Sequence, residues 1–426
     1  MSILIPIVLV LLALLGAPLF AVIAASAMWG FYTSDIPLLV IATEIYRVAE
    51  MPILLAIPLF TFAGYILSES DAPGRLVRLT NALLGWMPGG LAIVSLTACA
   101  FFTAFTGASG VTIIALGALL FPALKQAGYG ENFSLGLVTT SGSLGLLFAP
   151  SLPLILYGIV AQQMSVGRSI SIDDLFLAGI FPGLMMLALL GGWSLWVNRH
   201  NRVPIADFSV ADLKSSLRES IWELPLPVIV LGGIYSGFFA VSEAAAVTAL
   251  YVIIVEVFIL REISLRKLPL VMRQSMLLVG GVLIILAVSL ASTNYMIDAG
   301  IPTRLFAFIQ DKVSSPLGFL LLLNVFLLIL GAVLDIFSAL VLIVPLLLPI
   351  AVQYGIDPLH LGIIFLANMQ LGYSTPPVGL NLFIASYRFE RPIMQIYMAT
   401  LPFLMILLVA VLIITYWPAL SLGLVR

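Results

Sequence analysis

The chain predicts an all-α integral membrane protein made of inverted repeats, with two re-entrant helical hairpins and two broken helices. Three observations predict it. The 426 residues are 62% hydrophobic and 9% charged, with a mean hydropathy of +1.20, whereas soluble domains run at about 25% charged. Two apolar stretches, one in each half, are broken by Pro, Gly and small hydroxyl residues. Most basic residues also fall on one side of the membrane once the spans are counted.

A bilayer crossing takes about 20 apolar residues. Runs of this kind occupy 3–28, 52–69, 172–197, 222–239, 242–260, 274–297 and 394–420. The first contains Ala25-Ser26-Ala27, which resembles a signal-peptidase site. It is long and no Lys or Arg precedes it, so it is expected as a first transmembrane helix rather than a cleaved leader. Amphipathic pieces lie at 36–50, 72–86, 207–220 and 301–313. Two more apolar stretches, 88–124 and 316–352, break at Thr106-Gly107-Ala108-Ser109-Gly110 and at Asp335-Ile336-Phe337-Ser338. Their halves, about 15–18 residues each, are short for a crossing. They read as re-entrant hairpins or as ordinary helix pairs joined by loops; small residues at the tips favour hairpins.

Each hairpin is followed by a broken helix. The first break is Gly142-Ser143-Leu144-Gly145-Leu146-Leu147-Phe148-Ala149-Pro150, and the second is Gly372-Tyr373-Ser374-Thr375-Pro376-Pro377-Val378-Gly379-Leu380-Asn381. Backbone groups freed there cannot face lipid, so they are buried or line a polar cavity. The order of elements repeats: Pro122 to Pro150 spans 28 residues and Pro349 to Pro376 spans 27, with Gly128 and Gly355 at matching places. Basic loops (Arg199, Arg202, Lys214, Arg218 and Arg261, Arg266, Lys267, Arg273) mark the cytoplasmic side. Counting from them also puts Arg75, Arg78, Lys125, Arg388 and Arg391 inside, which is 13 of 18 basic residues; Arg47, Arg168, Arg304, Lys312 and Arg426 fall outside. On that count one hairpin opens inward and the other outward. Inverted repeats with paired broken helices imply an alternating-access carrier.

The polar residues at membrane depth are the candidates for chemistry. Asp335 interrupts an apolar run, where a bare carboxylate costs on the order of 3 kcal/mol or more. It reads as a cap on the following arm or as a cation ligand. Thr103, Thr106, Ser109, Thr112, Thr139, Thr140, Ser141, Ser143, Ser338, Asn368, Ser374, Thr375 and Asn381 gather at the breaks. Neutral oxygens and unwound carbonyls suit Na⁺, and helix N-termini suit an anion; taken singly, each hydroxyl reads better as helix packing, and the clusters together read better as a site. Glu243 reads as an N-terminal acidic cap and Glu256 as interfacial. Cys99 is the only cysteine, so an internal disulfide and a thiolate metal cage are excluded. His200 and His360 are too few for a metalloenzyme or a histidine relay. No Gly-Lys-Ser/Thr phosphate loop is present, and no nucleic-acid partner is expected.

At these residues the chain resembles the large membrane subunit of tripartite ATP-independent periplasmic (TRAP) transporters. The likeness is carried by Phe102-Thr103-Ala104-Phe105-Thr106-Gly107-Ala108-Ser109-Gly110 with Pro122, and by Ser242-Glu243-Ala244-Ala245-Ala246-Val247. It continues in Gly355-Ile356-Asp357-Pro358-Leu359-His360-Leu361-Gly362 and in Thr375-Pro376-Pro377-Val378-Gly379-Leu380-Asn381. The resemblance implies Na⁺-coupled uptake of an organic acid, by family default a C4-dicarboxylate, through an elevator motion in the bacterial inner membrane. It implies Na⁺ at Thr103, Gly107, Ser143 and Gly145, and at Asp335, Gly372, Ser374 and Thr375. Substrate then lies between the tips, at Thr106, Ser109, Ser338 and Asn381. A periplasmic substrate-binding protein and a small four-helix membrane subunit are the implied partners, the latter expected as a separate protein.

The implied division is 1–86 scaffold with the first arm helix, 87–165 first transport half, 166–314 scaffold with the second arm helix, 315–390 second transport half, and 391–426 a C-terminal transmembrane helix counted with the scaffold. One departure stands out. Relatives often read Asp-Pro-Thr where this chain has Asp335-Ile336-Phe337-Ser338, so the substrate is not carried over with the motif. A stand-alone anion carrier of similar architecture and a channel are the competing readings. An enzyme lacks any His, Cys or Ser–base constellation.

Overall fold

The computed structural model describes residues 4–87, 89–164, 166–167, 170–199 and 208–425. Arg168, His200, Arg202 and Arg426, used in the charge and histidine readings, lie outside the described residues. Among the described residues all regular structure is helical. Eight helices among the described residues are long and apolar enough to cross a membrane, or nine if the bent pair Glu131–Leu147 and Leu152–Met164 is one span.

The amphipathic pieces form short helices at Leu39–Ala49, Ala72–Leu84, Val210–Glu219 and Ile301–Lys312. The interrupted stretches become helix pairs: Gly90–Thr106 with Ser109–Gln126, and Pro316–Val333 with Ile336–Gln353. Three of these four arms reach 18 residues, the upper end of the length read from sequence, and are apolar enough to span. The run 3–28 is not one helix. It divides into Leu4–Leu14 and Leu19–Thr33, because Gly16 takes φ +87 and Pro18, which has no amide hydrogen to continue the ladder, caps the second piece. Glu256, expected at the interface, is fully buried. Glu243 does cap its helix, accepting from the Ala240 amide at 2.8 Å.

Helix starts follow local chemistry. Ser315 accepts from the Gly318 amide with Pro316 behind it, and Asp357 accepts from the Leu359 amide ahead of Pro358; such caps satisfy amides that a helix leaves free.

The two halves interlock in packing. Each hairpin's first arm lies on its own broken helix, and the second arm lies both on its own and on the other repeat's. Ser109–Gln126 packs on Leu380–Phe389, and Ile336–Gln353 on Leu152–Met164. Of the closing helices, Ile393–Tyr416 packs chiefly on Glu131–Ser141 of the other repeat, whereas Ile172–Asn198 packs on Pro358–Gly372 and also on its own Leu144–Leu147 and Leu152–Met164. Two glycines allow close approach, because a Cβ on Gly136 would strike the Ala399 carbonyl and one on Gly179 the Leu147 carbonyl. The sequence division placed both closing helices with the scaffold; their packing is against the broken helices. Around this body, Val241–Ile259 and Leu268–Asp298 each pack on Pro52–Glu69.

Candidate transport site

Each break faces the tip of its own hairpin. In the first half the chain bends by 40° between Glu131–Leu147 and Leu152–Met164. The turn Leu144–Leu147 lies against the first hairpin arm, so closely that a Cβ on Gly145 would meet the Ala100 carbonyl. Gly107 ends that arm at φ +65, and its amide donates to the Thr103 carbonyl at 2.8 Å. Thr103 Oγ1 lies 2.8 Å from the carbonyl oxygens of both Cys99 and Gly142, and 2.7 Å from Thr112 Oγ1. A hydroxyl has one proton to donate, so it serves one carbonyl at a time. The result is a buried group of four oxygens from three elements. Ser143 Oγ donates to the Thr140 carbonyl at 3.3 Å. The Oγ1 atoms of Thr106, Thr139 and Thr140 are buried without a partner.

The second half is built by other contacts to the same end. Asp335 Oδ2 accepts from the Ser338 amide at 3.0 Å, which is the capping geometry read from sequence. Tyr373, in the break, accepts from the Ile336 amide at 2.7 Å. The Gly379 amide donates to the Ala332 carbonyl at 3.0 Å and the Asn381 amide to the Tyr373 carbonyl at 3.1 Å. Gly372 is buried against Gly331. Thr375 Oγ1 donates back to the Leu371 carbonyl at 3.0 Å. Ser374 Oγ and both side-chain polar atoms of Asn381 are buried and unpartnered.

The expected residues therefore gather at two places, one in each half. Thr103, Thr106, Gly107, Ser109, Ser143 and Gly145 belong to the first, and Asp335, Ser338, Gly372, Ser374, Thr375 and Asn381 to the second. Helix Leu380–Phe389 joins them: a Cβ on Gly110, at the first tip, would lie 2.6 Å from Ile384 Cδ1, and Leu382 shares a core with Ile113. Tyr373 was missed by sequence reasoning, although it stands inside the Gly-Tyr-Ser-Thr-Pro-Pro break. Buried polar groups in folded proteins are nearly always paired; Thr106, Ser374 and Asn381, near the tips and breaks, are among those here that are not. A cavity of about 390 Å³ lies elsewhere, between the arm helix Ala72–Leu84 and the first hairpin arm. Its walls are mainly leucines with Phe101 and Pro227, joined by Thr80, Thr97, Ser220 and Glu223; the exposed lining is largely apolar, and its one charged group is a carboxylate, which does not suit an acid.

The family described as "Tripartite ATP-independent periplasmic transporter, DctM component" matches residues 5–420. A relative from Rhodobacter capsulatus, named C4-dicarboxylate TRAP transporter large permease protein DctM, is 34% identical over 98% of this chain and 97% of its own. One from Oleidesulfovibrio alaskensis, named isethionate TRAP transporter permease protein DctMQ, is 34% identical over 86% of this chain and 57% of its own. One from Ruegeria pomeroyi, named for ectoine and 5-hydroxyectoine, is 31% identical over 97% and 96%. Among solved structures, the Alcanivorax borkumensis YdaH transporter matches with TM-score 0.63 at 15% identity, over 90% of this chain and 88% of that one; this likeness concerns the fold.

Proposed function

Because the chain belongs to the DctM component family of tripartite ATP-independent periplasmic transporters, we propose that it performs Na⁺-coupled symport of an organic acid by an elevator motion. It is the large permease of a secondary transporter and not an enzyme. The observation that carries the finer reading is the pair of half-sites, each a hairpin tip closed on a broken helix with buried polar groups left unpartnered.

Na⁺ is held in the first half-site by the oxygen group of Thr103, with Gly107, Ser143 and Gly145 shaping the turn around it. In the second it is held by Asp335, Gly372, Ser374 and Thr375. Hard cations favour such clusters of neutral oxygens and unwound carbonyls. The substrate lies between the tips, against Thr106, Ser109, Ser338 and Asn381. The names of relatives favour a small polar solute, with a C4-dicarboxylate first and a sulfonate or ectoine as other members of the panel. The hairpin arms enter and leave on one side, and the moving body comprises both hairpins, both broken helices and the two closing helices packed on them. A separate small four-helix subunit braces the scaffold in the inner membrane, and a periplasmic binding protein delivers the substrate.

Uptake into proteoliposomes containing this chain and its small subunit tests the reading, with labelled C4-dicarboxylates, isethionate and ectoine. Accumulation only with both a Na⁺ gradient and the binding protein is expected. Uptake without the binding protein would identify a stand-alone carrier, and gradient-independent flux a channel.

A further inference from the structure

The scaffold grips the second hairpin by a carbonyl that the hairpin cannot satisfy itself. Helix Ile336–Gln353 carries Pro345 and Pro349 in its interior. Proline has no amide hydrogen, so Pro345 leaves the Val341 carbonyl, four residues earlier, without its helical donor. Pro349 does the same to the carbonyl of Pro345. In a membrane such freed carbonyls are taken up by Ser and Thr side chains and by neighbouring helices. Here Ser289, on scaffold helix Leu268–Asp298, donates its hydroxyl to the Val341 carbonyl at 2.8 Å. Ser289 is buried, and the two helices pack on one another. The bond therefore crosses from the scaffold to the body that carries the second tip.

Thr293 stands one turn further along the same scaffold helix. Four residues apart, it shares a face with Ser289. It is 3% exposed, and its Oγ1 has no partner. Other buried helical threonines behave differently: Thr61, Thr248, Thr400 and Thr415 each donate to the carbonyl four residues earlier. Among the described residues the remaining unpartnered threonines, Thr106, Thr139 and Thr140, belong to the first tip and to the helix entering the first break. Thr293 is the one on the scaffold. The spacing matches on the two sides of the joint. The residues Ser289 and Thr293 are one turn apart, and so are Val341 and Pro345, whose carbonyls the prolines free. On the count of basic loops both helices run outward.

We propose that Ser289 and Thr293 are positioning residues for transport, two hydroxyl stations on the scaffold at which the second hairpin rests in turn. The proposal deepens the elevator reading and rests on it. Ser289 holds the Val341 carbonyl in the position described above. An outward slide of one turn, about 5.4 Å, passes that carbonyl to Thr293, whose hydroxyl is otherwise idle. Each rest then satisfies the freed carbonyl, and the slide between them breaks one hydrogen bond and forms another.

The test uses the full chain with its small subunit in lipid nanodiscs, spin-labelled at Met272→Cys and Gln353→Cys. Both positions are exposed and lie toward opposite ends of the two helices, so a slide changes their separation directly. The native Cys99 is buried. Electron paramagnetic resonance with and without Na⁺ should show two separations about one turn apart in the parent. Ser289→Ala should deplete the first and Thr293→Val the second, each by about two- to tenfold, the range of one net hydrogen bond. Thr293→Ser keeps the hydroxyl and should restore the second. Thr293 has no bond to lose in the position described, so Thr293→Val should melt with the parent while its uptake slows. Separations that respond to Na⁺ but are moved by neither Ser289→Ala nor Thr293→Val would overturn the two stations and leave the elevator reading standing. Thr293→Ser matching Thr293→Val would overturn them too, since the hydroxyl would then be irrelevant. One fixed separation under every condition overturns the elevator reading and the stations with it. If Ser289→Ala does not accumulate, the two Thr293 variants decide alone.

Discussion

Gly331 and Gly372 meet backbone to backbone: a Cβ on Gly372 would stand 2.5 Å from the Gly331 Cα. Their contact seats the first arm of the second hairpin on the helix that leads into the second break. Nearby, the Gly379 amide reaches the Ala332 carbonyl at 3.0 Å, so the arm and both edges of the break form one unit.

Alanine at these glycines should act unequally. A Cβ on Gly331 would find its nearest atom at 3.1 Å, a milder conflict than that at Gly372. Overpacking costs about 1–3 kcal/mol. Gly372→Ala is expected in the upper part of that range with transport reduced at least tenfold, and Gly331→Ala near the bottom. Melting temperature and uptake rate measured on both variants check the order.

Asn381 separates stability from function. Neither its amide nitrogen nor its oxygen has a partner, and the residue is fully buried. Replacing a buried unsatisfied polar group by an apolar one of similar shape is neutral or stabilising. Asn381→Leu should therefore melt no earlier than the parent and yet lose substrate uptake. Early melting in Asn381→Leu would show that the amide is a structural group.

The second ion site predicts a shift in Na⁺ dependence. Ser374→Ala and Thr375→Ala should each raise the Na⁺ concentration needed for half-maximal uptake, with little change in melting temperature without Na⁺. Titration of uptake against Na⁺ measures this directly. An unchanged requirement in both variants removes the second site from these residues.

Thr103→Val tests the first oxygen group. The substitution keeps shape but deletes the contacts to Cys99, Gly142 and Thr112. Leaving a buried carbonyl unpaired costs about 1–3 kcal/mol. Added Na⁺ should stabilise the parent by ligand binding and stabilise Thr103→Val less, as read from melting curves with and without the ion.

Arg75 should tolerate no replacement by an uncharged residue. Removing one partner of a buried ion pair costs about 3–5 kcal/mol, and here the three carboxyls of Glu223, Glu256 and Glu262 would lose their counter-charge. Arg75→Leu is expected to abolish accumulation of folded protein. Arg75→Lys should recover it only in part, because an ammonium cannot match the fork of a guanidinium. Yield of folded protein by size-exclusion chromatography decides between these outcomes.

Much of the fold was legible because lipid forbids free backbone groups. The tips at Thr106–Gly110 and Asp335–Ser338 and the two breaks had to be written in Gly, Pro and small hydroxyls, and they stand where the sequence put them. The cap by Asp335 followed from the same logic. The packing of Ile393–Tyr416 on the other repeat was not legible, since an apolar helix carries little sign of which apolar neighbour it meets; Gly136 becomes informative only once its opposite carbonyl, that of Ala399, is known. The Arg75 cluster was hidden for another reason. Its members are separated by up to 187 positions, and Glu256, near the end of an apolar run, reads as interfacial until the π-helix Ile254–Ile259 rotates it inward.

The packing of the last closing helix on the other repeat bears on how the protein is made. Translation delivers residues 87–198 long before Ile393–Tyr416 exists, so the first broken helix enters the membrane without the helix that covers Gly136. Until the last span is inserted, Glu131–Ser141 presents its polar face to lipid or to insertion factors. Neither repeat is then a self-sufficient folding unit, and a chain cut short before residue 393 is defective in both halves at once.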